Sequence, residues 1–187
     1  MKNLLIILTL LAASTSATAL DISGVKLDDR TSVDGTELVL NGAGTRKKFG
    51  LLDVYVAALY LTSRAKTAEA VINQAKPRRM LLVMKRTVDS KSMQGALHDA
   101  INENTNDAQR AAIGPGMAKL GAIFLRIQPR ENDRIALDFG ADGGVRIAHN
   151  DQVKDTLSGP DIGPAILKVW IGERPVQANL KAALLGH

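Results

Sequence analysis

The chain predicts a single α+β domain, and three observations carry that reading. Runs of apolar and β-branched residues end in strong turn signals, as expected of antiparallel strands. Two regions repeat apolar residues at helical spacing, one mid-chain and one at the C-terminus. The 187 residues, 45% hydrophobic and 23% charged, hold no internal repeat, low-complexity tract or linker to divide them.

The elements follow in order. Asp34-Gly35 is a turn signal before a strand, Thr36 to Asn41. Gly42-Ala43-Gly44 reads as a turn, and Thr45 to Phe49 returns as strand. Leu51 to Leu61 is apolar on both faces, which suits a central strand covered on both sides. Asp53, its one charge, belongs near the strand edge or against a wet cavity. Thr67 to Ala75 is a short helix, stopped before Pro77. Arg79 to Val88 is the next strand, with Met80, Leu82, Met84 and Arg86 on one face. A helix spans Lys91 to Glu103, N-capped by Asp89 or Ser90, with Met93, Leu97, Ala100 and Ile101 as its core stripe. Ala108 to Ile127 is helix, or helix and strand, broken at Gly114-Pro115-Gly116. Asp133 to Phe139 and Gly144 to Ala148 form a hairpin with one wet face, and His149 falls in the turn after it. Pro164 to Gly172 and Pro175 to Leu185 close the chain as helices, with Pro175 in the first turn of the second.

The start of the chain reads as an address. Met1-Lys2 is charged, Leu4 to Ala13 is apolar, and Ala17-Thr18-Ala19 fits a cleavage site. This is the order of a secretory signal peptide, so residues 1–19 are expected to be removed after Ala19 and residues 20–187 exported to the periplasm. Its apolar core is about half the ~20 residues a spanning helix needs. Outside the cytoplasm ATP and nicotinamide cofactors are scarce, and the chain has no GxxxxGK[ST] loop, so no cofactor is expected.

Composition removes further classes. With 0 Cys there is no disulfide, thiolate metal site or Cys nucleophile, and the 3 His lie apart, so no metal is expected. Asp138 and Asp142 lack a calcium-loop pattern, and Ser90 and Ser92 lack a G-x-S-x-G elbow. The net charge of +5 is dispersed apart from Arg46-Lys47-Lys48 and Arg78-Arg79, read as solvated or site-specific charge. With aromatics at 3%, no nucleic-acid surface is expected. The basic balance favours an anionic ligand and allows peripheral contact with an acidic membrane. Trp170, the only Trp, reads as an anchor for the C-terminal helix.

Two segments carry a resemblance. Leu40 to Lys48 (LNGAGTRKK) runs into Asp53 to Leu61 (DVYVAALYL), and Ile166 to Val176 (ILKVWIGERPV) leads to the closing Leu184-Leu185-Gly186. Together they resemble the bacterial chalcone isomerase-like family, over most of Val33 to Gly186. The resemblance implies a large antiparallel sheet with a layer of helices on one face and a ligand cleft between. In the plant isomerases an Arg stabilises a phenolate, and Arg46 stands at the matching place. Their helix-borne Tyr and Asn are matched by Met93 and Ala100, and a catalytic Thr by Tyr55. The resemblance therefore implies two functions. One is a non-catalytic binder of a small hydrophobic anion such as a fatty acid, with Arg46 on the head group and Tyr55, Met93 and Ala100 in the cleft; Arg86, a charge on the otherwise apolar face of Met80, Leu82 and Met84, is a second ligand-binding candidate read from the strand pattern. The other is an intramolecular lyase-type isomerase acting on an enone or phenol, with Arg46 and Tyr55 as its catalytic pair.

Overall fold

The computed structural model describes residues 19–187; all but the last residue of the expected export leader lies outside them. Nine strands and five helices form among these residues: β1 (Leu20–Ile22), β2 (Val25–Leu27), β3 (Arg30–Val33), β4 (Thr36–Lys48), β5 (Leu52–Leu61), α1 (Ala68–Ile72), β6 (Arg78–Met84), α2 (Ser90–Glu103), α3 (Asp107–Ile127), β7 (Arg134–Phe139), β8 (Val145–His149), β9 (Gln152–Leu157), α4 (Ile162–Ile171) and α5 (Ala178–Leu184). β3 to β9 make one antiparallel sheet of seven strands in sequence order, and β1–β2 is a separate hairpin. Each strand thus pairs with its chain neighbour, the arrangement that short connections favour.

β5 shows why the sheet is buried on both faces. Ala57, Leu59 and Leu61 point one way, into a core with Leu82, Ile135 and Phe139 and with residues from all five helices. Val56, Ala58 and Tyr60 point the other way, into a smaller core with Leu81 and Val83 that β1–β2 covers through Val25 and Leu27. A period of two with apolar residues on both phases gives this result. The domain is a single α+β unit with its helices on one sheet face, as expected.

Several elements differ from the sequence reading, each for a physical reason. Gly42-Ala43-Gly44 is not a turn; β4 runs straight through it, with a register shift between Leu40 and Gly42. A Cβ on Gly42 would sit 2.0 Å from the Ala183 carbonyl oxygen, so this glycine serves the close approach of α5. α3 is unbroken at Gly114-Pro115-Gly116. Pro115 and Ala111, whose carbonyl the missing N–H would have bonded, are both exposed, so water can take that bond. Gly116 lets Ile162 approach, since a Cβ there would lie 3.0 Å from its Cδ1.

β6 ends at Met84, not Val88, so Arg86 is an exposed residue of the connection to α2 rather than part of the Met80–Leu82–Met84 face. His149 is the last residue of β8, with its Nε2 2.9 Å from Asp133; the turn is Asn150-Asp151. Pro175 precedes α5, which begins at Ala178, because the Val176 N–H donates back to the Val169 carbonyl at 2.9 Å.

The Arg78-Arg79 pair is not solvated. Arg78 is 2% exposed, and its Nη1 donates to the carbonyls of Val71 (2.7 Å) and Ile72 (2.9 Å) at the end of α1. Arg79 donates twice to the buried Asp138, at 2.5 and 2.9 Å, on the face away from the helices. No helix of the described residues is long and apolar enough to cross a membrane.

Candidate functional site

Register places the key groups in a row. Arg46 on β4 pairs with Tyr55 on β5, and Tyr55 pairs with Met84 on β6. Residues opposite one another in a ladder share a face, so all three look toward the helices. Leu82 shares that face two residues before Met84. These residues floor a cavity of about 200 Å³ between sheet and helices. Phe124 of α3 and Val169 and Trp170 of α4 close its inner end. Met93, Ala96 and Leu97 of α2 form a wall, and Val54, Val88 and Val176 complete the apolar lining. Lys48, Ser92 and Ala96 are the exposed members of the lining and mark the opening. The lining residues include no Asp, Glu or His. This wall can bind an apolar body, and it offers no ligand set for a metal.

The polar end is built from both halves of the chain. Gln177, just before α5, reaches back to β4. Its Oε1 accepts from the Lys47 backbone N–H (2.8 Å) and from Arg46 Nη1 (3.2 Å), while its Nε2 donates to the Thr45 carbonyl (3.1 Å). Arg46 Nη1 also donates to the Lys47 carbonyl. Asp53, the acid nearest in sequence, is held by Lys47 instead. Arg46 is therefore half-buried with no carboxylate partner among the described residues, and its Nε and Nη2 keep donors to spare.

Tyr55 adds a second donor. Trp170 Nε1, which can only donate, bonds to the Tyr55 hydroxyl oxygen at 3.0 Å. The oxygen is the acceptor in that bond, so the phenolic proton stays available to a ligand in the cavity. Burial pushes the Tyr55 hydroxyl above its ordinary pKa, against the opposing effects of the Trp170 bond and the Arg46 charge, so it remains protonated at neutral pH. A guanidinium and a hydroxyl from paired strand positions thus line one apolar cavity, the hydroxyl buried against Trp170. That pairing offers hydrogen-bond donors beside an apolar wall.

Of the five residues singled out in the sequence, Arg46, Tyr55 and Met93 line this cavity together. Arg86 lies outside it, exposed beyond the end of β6. Ala100 lies outside the lining as well, one turn further along α2, buried in the core with Ile101. Ala96 takes the place on the wall expected of Ala100. The sequence reading missed Gln177, and it gave Trp170 only an anchoring role. Their partners lie 130 and 115 residues away, beyond the reach of any spacing pattern.

A seven-stranded antiparallel sheet, helices on one face and an apolar cavity between them lined by an arginine define the architecture. The chain belongs to the chalcone isomerase-like family, whose model matches residues 19–186. The crystal structure of a fatty-acid binding protein from Arabidopsis thaliana is similar, with a TM-score of 0.64 and 14% identity over 87% of this chain and 92% of that chain. At that identity the likeness is one of fold. No curated protein matches the chain.

Proposed function

We propose that the protein binds a fatty acid or a similar small hydrophobic carboxylate, with the head group on Arg46 and Tyr55 and the acyl chain among Leu82, Met84, Met93 and Phe124. The observation that carries this reading is Arg46 itself: a half-buried cation, without a carboxylate partner among the described residues, at the open end of an apolar cavity. The similarity to a fatty-acid binding protein supports it. The α2 wall of Met93, Ala96 and Leu97 offers no acid–base group, which favours binding over turnover. The cavity, about 200 Å³, is below the usual ~300–1,000 Å³ of ligand pockets. A medium-length chain suits it, and longer chains require Met84 and Met93 to repack, which methionine does readily. We propose in addition that the leader is cleaved after Ala19 and that the protein acts in the periplasm; N-terminal sequencing of the secreted fraction tests this.

The functional test is calorimetric titration of delipidated protein with octanoate, laurate and palmitate, and with their methyl esters. Arg46→Gln keeps a polar side chain and loses the charge. It is expected to weaken acid binding by roughly 10–100-fold, the worth of a charge-assisted hydrogen bond. The esters are expected to bind the wild type about as weakly as the acids bind the variant. Equal affinity of the wild type for acid and ester would remove Arg46 from the site. Recovery of a chemically altered ligand would turn the reading toward the isomerase.

A further inference from the structure

The hairpin between β4 and β5 ends in a tip that the fold does not explain. Phe49 and Leu51 are each 82% exposed, and Leu52 is 45% exposed. The turn is tight, with the Leu51 N–H donating to the Lys48 carbonyl at 3.2 Å. Phe49 sits at φ +53° and Gly50 at φ +71°. The second position has the residue such a turn wants. The first favours Asn or Asp, and a bulky aromatic there is strained. Phe49 thus adopts an unfavourable backbone conformation and buries almost nothing in return. Its one ring contact among the described residues is with Lys48, whose Nζ lies 5.3 Å from the ring centre. Strain with no folding benefit points to a use outside the chain.

The surroundings say what that use is. Lys48 is exposed at the base of the tip and also lines the cavity opening. The neighbouring end of the sheet adds exposed Arg86, because the Lys85 N–H bonds to the Val54 carbonyl at 2.9 Å and carries the next residue alongside. Lys91 and Arg130 are exposed around the start of α2, where the Val88 N–H bonds to the Pro129 carbonyl at 3.0 Å. The acids at this end are fewer or engaged: Asp53 is paired with Lys47, Asp89 caps α2 through the Ser92 N–H, and Glu131 is exposed. An apolar tip with Lys48 at its base and further cations on neighbouring connections of the sheet matches a surface that is anionic outside and apolar beneath.

We infer that the Phe49–Leu52 tip docks the protein on an anionic lipid bilayer, inserting Phe49 and Leu51 among the acyl chains while Lys48, Arg86 and Lys91 meet the head groups. Docking rests on the chemistry of the tip alone. Its use, which is to bring the cavity opening to the membrane so that a ligand can pass between them, rests on the fatty-acid reading above.

Cosedimentation with vesicles separates the two. Wild-type protein is mixed with phosphatidylethanolamine–phosphatidylglycerol vesicles and with phosphatidylcholine vesicles, no fatty acid being added. Binding to the anionic vesicles is expected, with a several-fold loss on raising salt. F49N/L51S is expected to reduce partitioning by roughly tenfold or more. Its melting temperature is expected to hold or rise, since Asn suits the left-handed position. Wild type and variant share the same N-terminus, so any difference belongs to the tip. Failure of the wild type to bind anionic vesicles, or equal binding by the double variant, overturns the inference. So does a wild-type dimer in sedimentation velocity that the same substitutions dissolve without vesicle binding, because the tip would then join two copies. Docking without fatty-acid affinity would leave the tip standing and remove the ligand reading.

Discussion

Gly42→Ala tests the packing that assembles the site. The added Cβ would lie 2.0 Å from the Ala183 carbonyl oxygen and 2.8 Å from that of Leu184. Both are backbone atoms, so no side chain can swing aside, and α5 must withdraw by more than an ångström. It carries Leu180 and Leu184, 1% and 0% exposed, and the Leu184 carbonyl accepts a 2.7 Å bond from Asn41 Nδ2. Overpacking costs about 1–3 kcal/mol. Losing the Asn41 bond adds about 1 kcal/mol. For a domain of this size the sum lowers the melting temperature by roughly 5–15 °C. Gln177 sits at the head of α5, so Arg46 should lose its positioning as well, and acid binding should weaken along with stability. Differential scanning calorimetry and fatty-acid titration are the assays. Gly95→Ala is the control: Gly95 is exposed on α2 with nothing within 4 Å of an added Cβ. That change should raise stability by about 0.5–1 kcal/mol through helix propensity. A melting temperature for Gly42→Ala within a degree or two of wild type would mean that α5 does not lie against β4 as described, and the account of the polar end would fall with it.

Two further outcomes follow from the hydrogen bonds of Tyr55 and Asp133. Tyr55→Phe leaves the buried Trp170 N–H without its acceptor, which should cost about 1–3 kcal/mol. Because Trp170 is the only Trp, its fluorescence reports the change directly, and unchanged emission would show that the Tyr55 bond is absent in solution. The second concerns acid. Burial pushes the Asp133 carboxyl up, but bonds donated by Asn150 Nδ2 and the Arg130 backbone N–H, both 2.8 Å, with His149 at 2.9 Å, more than offset it and hold the pKa at about 2. A depressed carboxylate stabilises the fold above its ordinary pKa of 3.8 and loses that contribution as pH falls through about 2. Reduced by solvent screening, the contribution is of order 1 kcal/mol. Denaturant unfolding of Asp133→Asn should therefore show less loss of stability than wild type between those two pH values, and parallel curves would count against the pairing.

What was legible in the sequence, and what was not, follows from where each element buries its side chains. β5 was plain because both of its phases are apolar and both faces are covered. The β7–β8 hairpin was plain because Ile135, Leu137 and Phe139 alternate with Arg134, Ala136 and Asp138. β3 and β9 are not legible because they are edge strands that each bury one residue, Val33 and Leu157, and so carry no alternation. β1 and β2 are three residues each, too short for a period to show. Gly42 and Gly44 read as a turn because a glycine that admits a neighbouring backbone looks, in sequence, like one that bends its own. In the site, Arg46 and Tyr55 came from a family resemblance rather than from any local pattern. The misplacement of Ala100 by one helical turn shows the limit of carrying a role across by alignment: an offset of four residues keeps the helix face and changes the depth.

The long sequence separation of the polar end has a consequence of its own. Arg46 is oriented by Gln177 and Tyr55 by Trp170, so neither donor is placed until the C-terminal helices have packed on β4 and β5. The polar end of the cavity is therefore a product of the complete fold, and the unfolded chain contains no part of it. A carboxylate that binds only the assembled site stabilises the fold by mass action. Within the fold that stabilisation falls most heavily on α5, the seven-residue helix whose docking positions Gln177. The glycines of β4 belong to the same device. By admitting α5 at backbone distance they bring Gln177 within hydrogen-bonding range of Thr45, Arg46 and Lys47, and so turn a strand with three consecutive basic residues into one that aims a single guanidinium into the cavity.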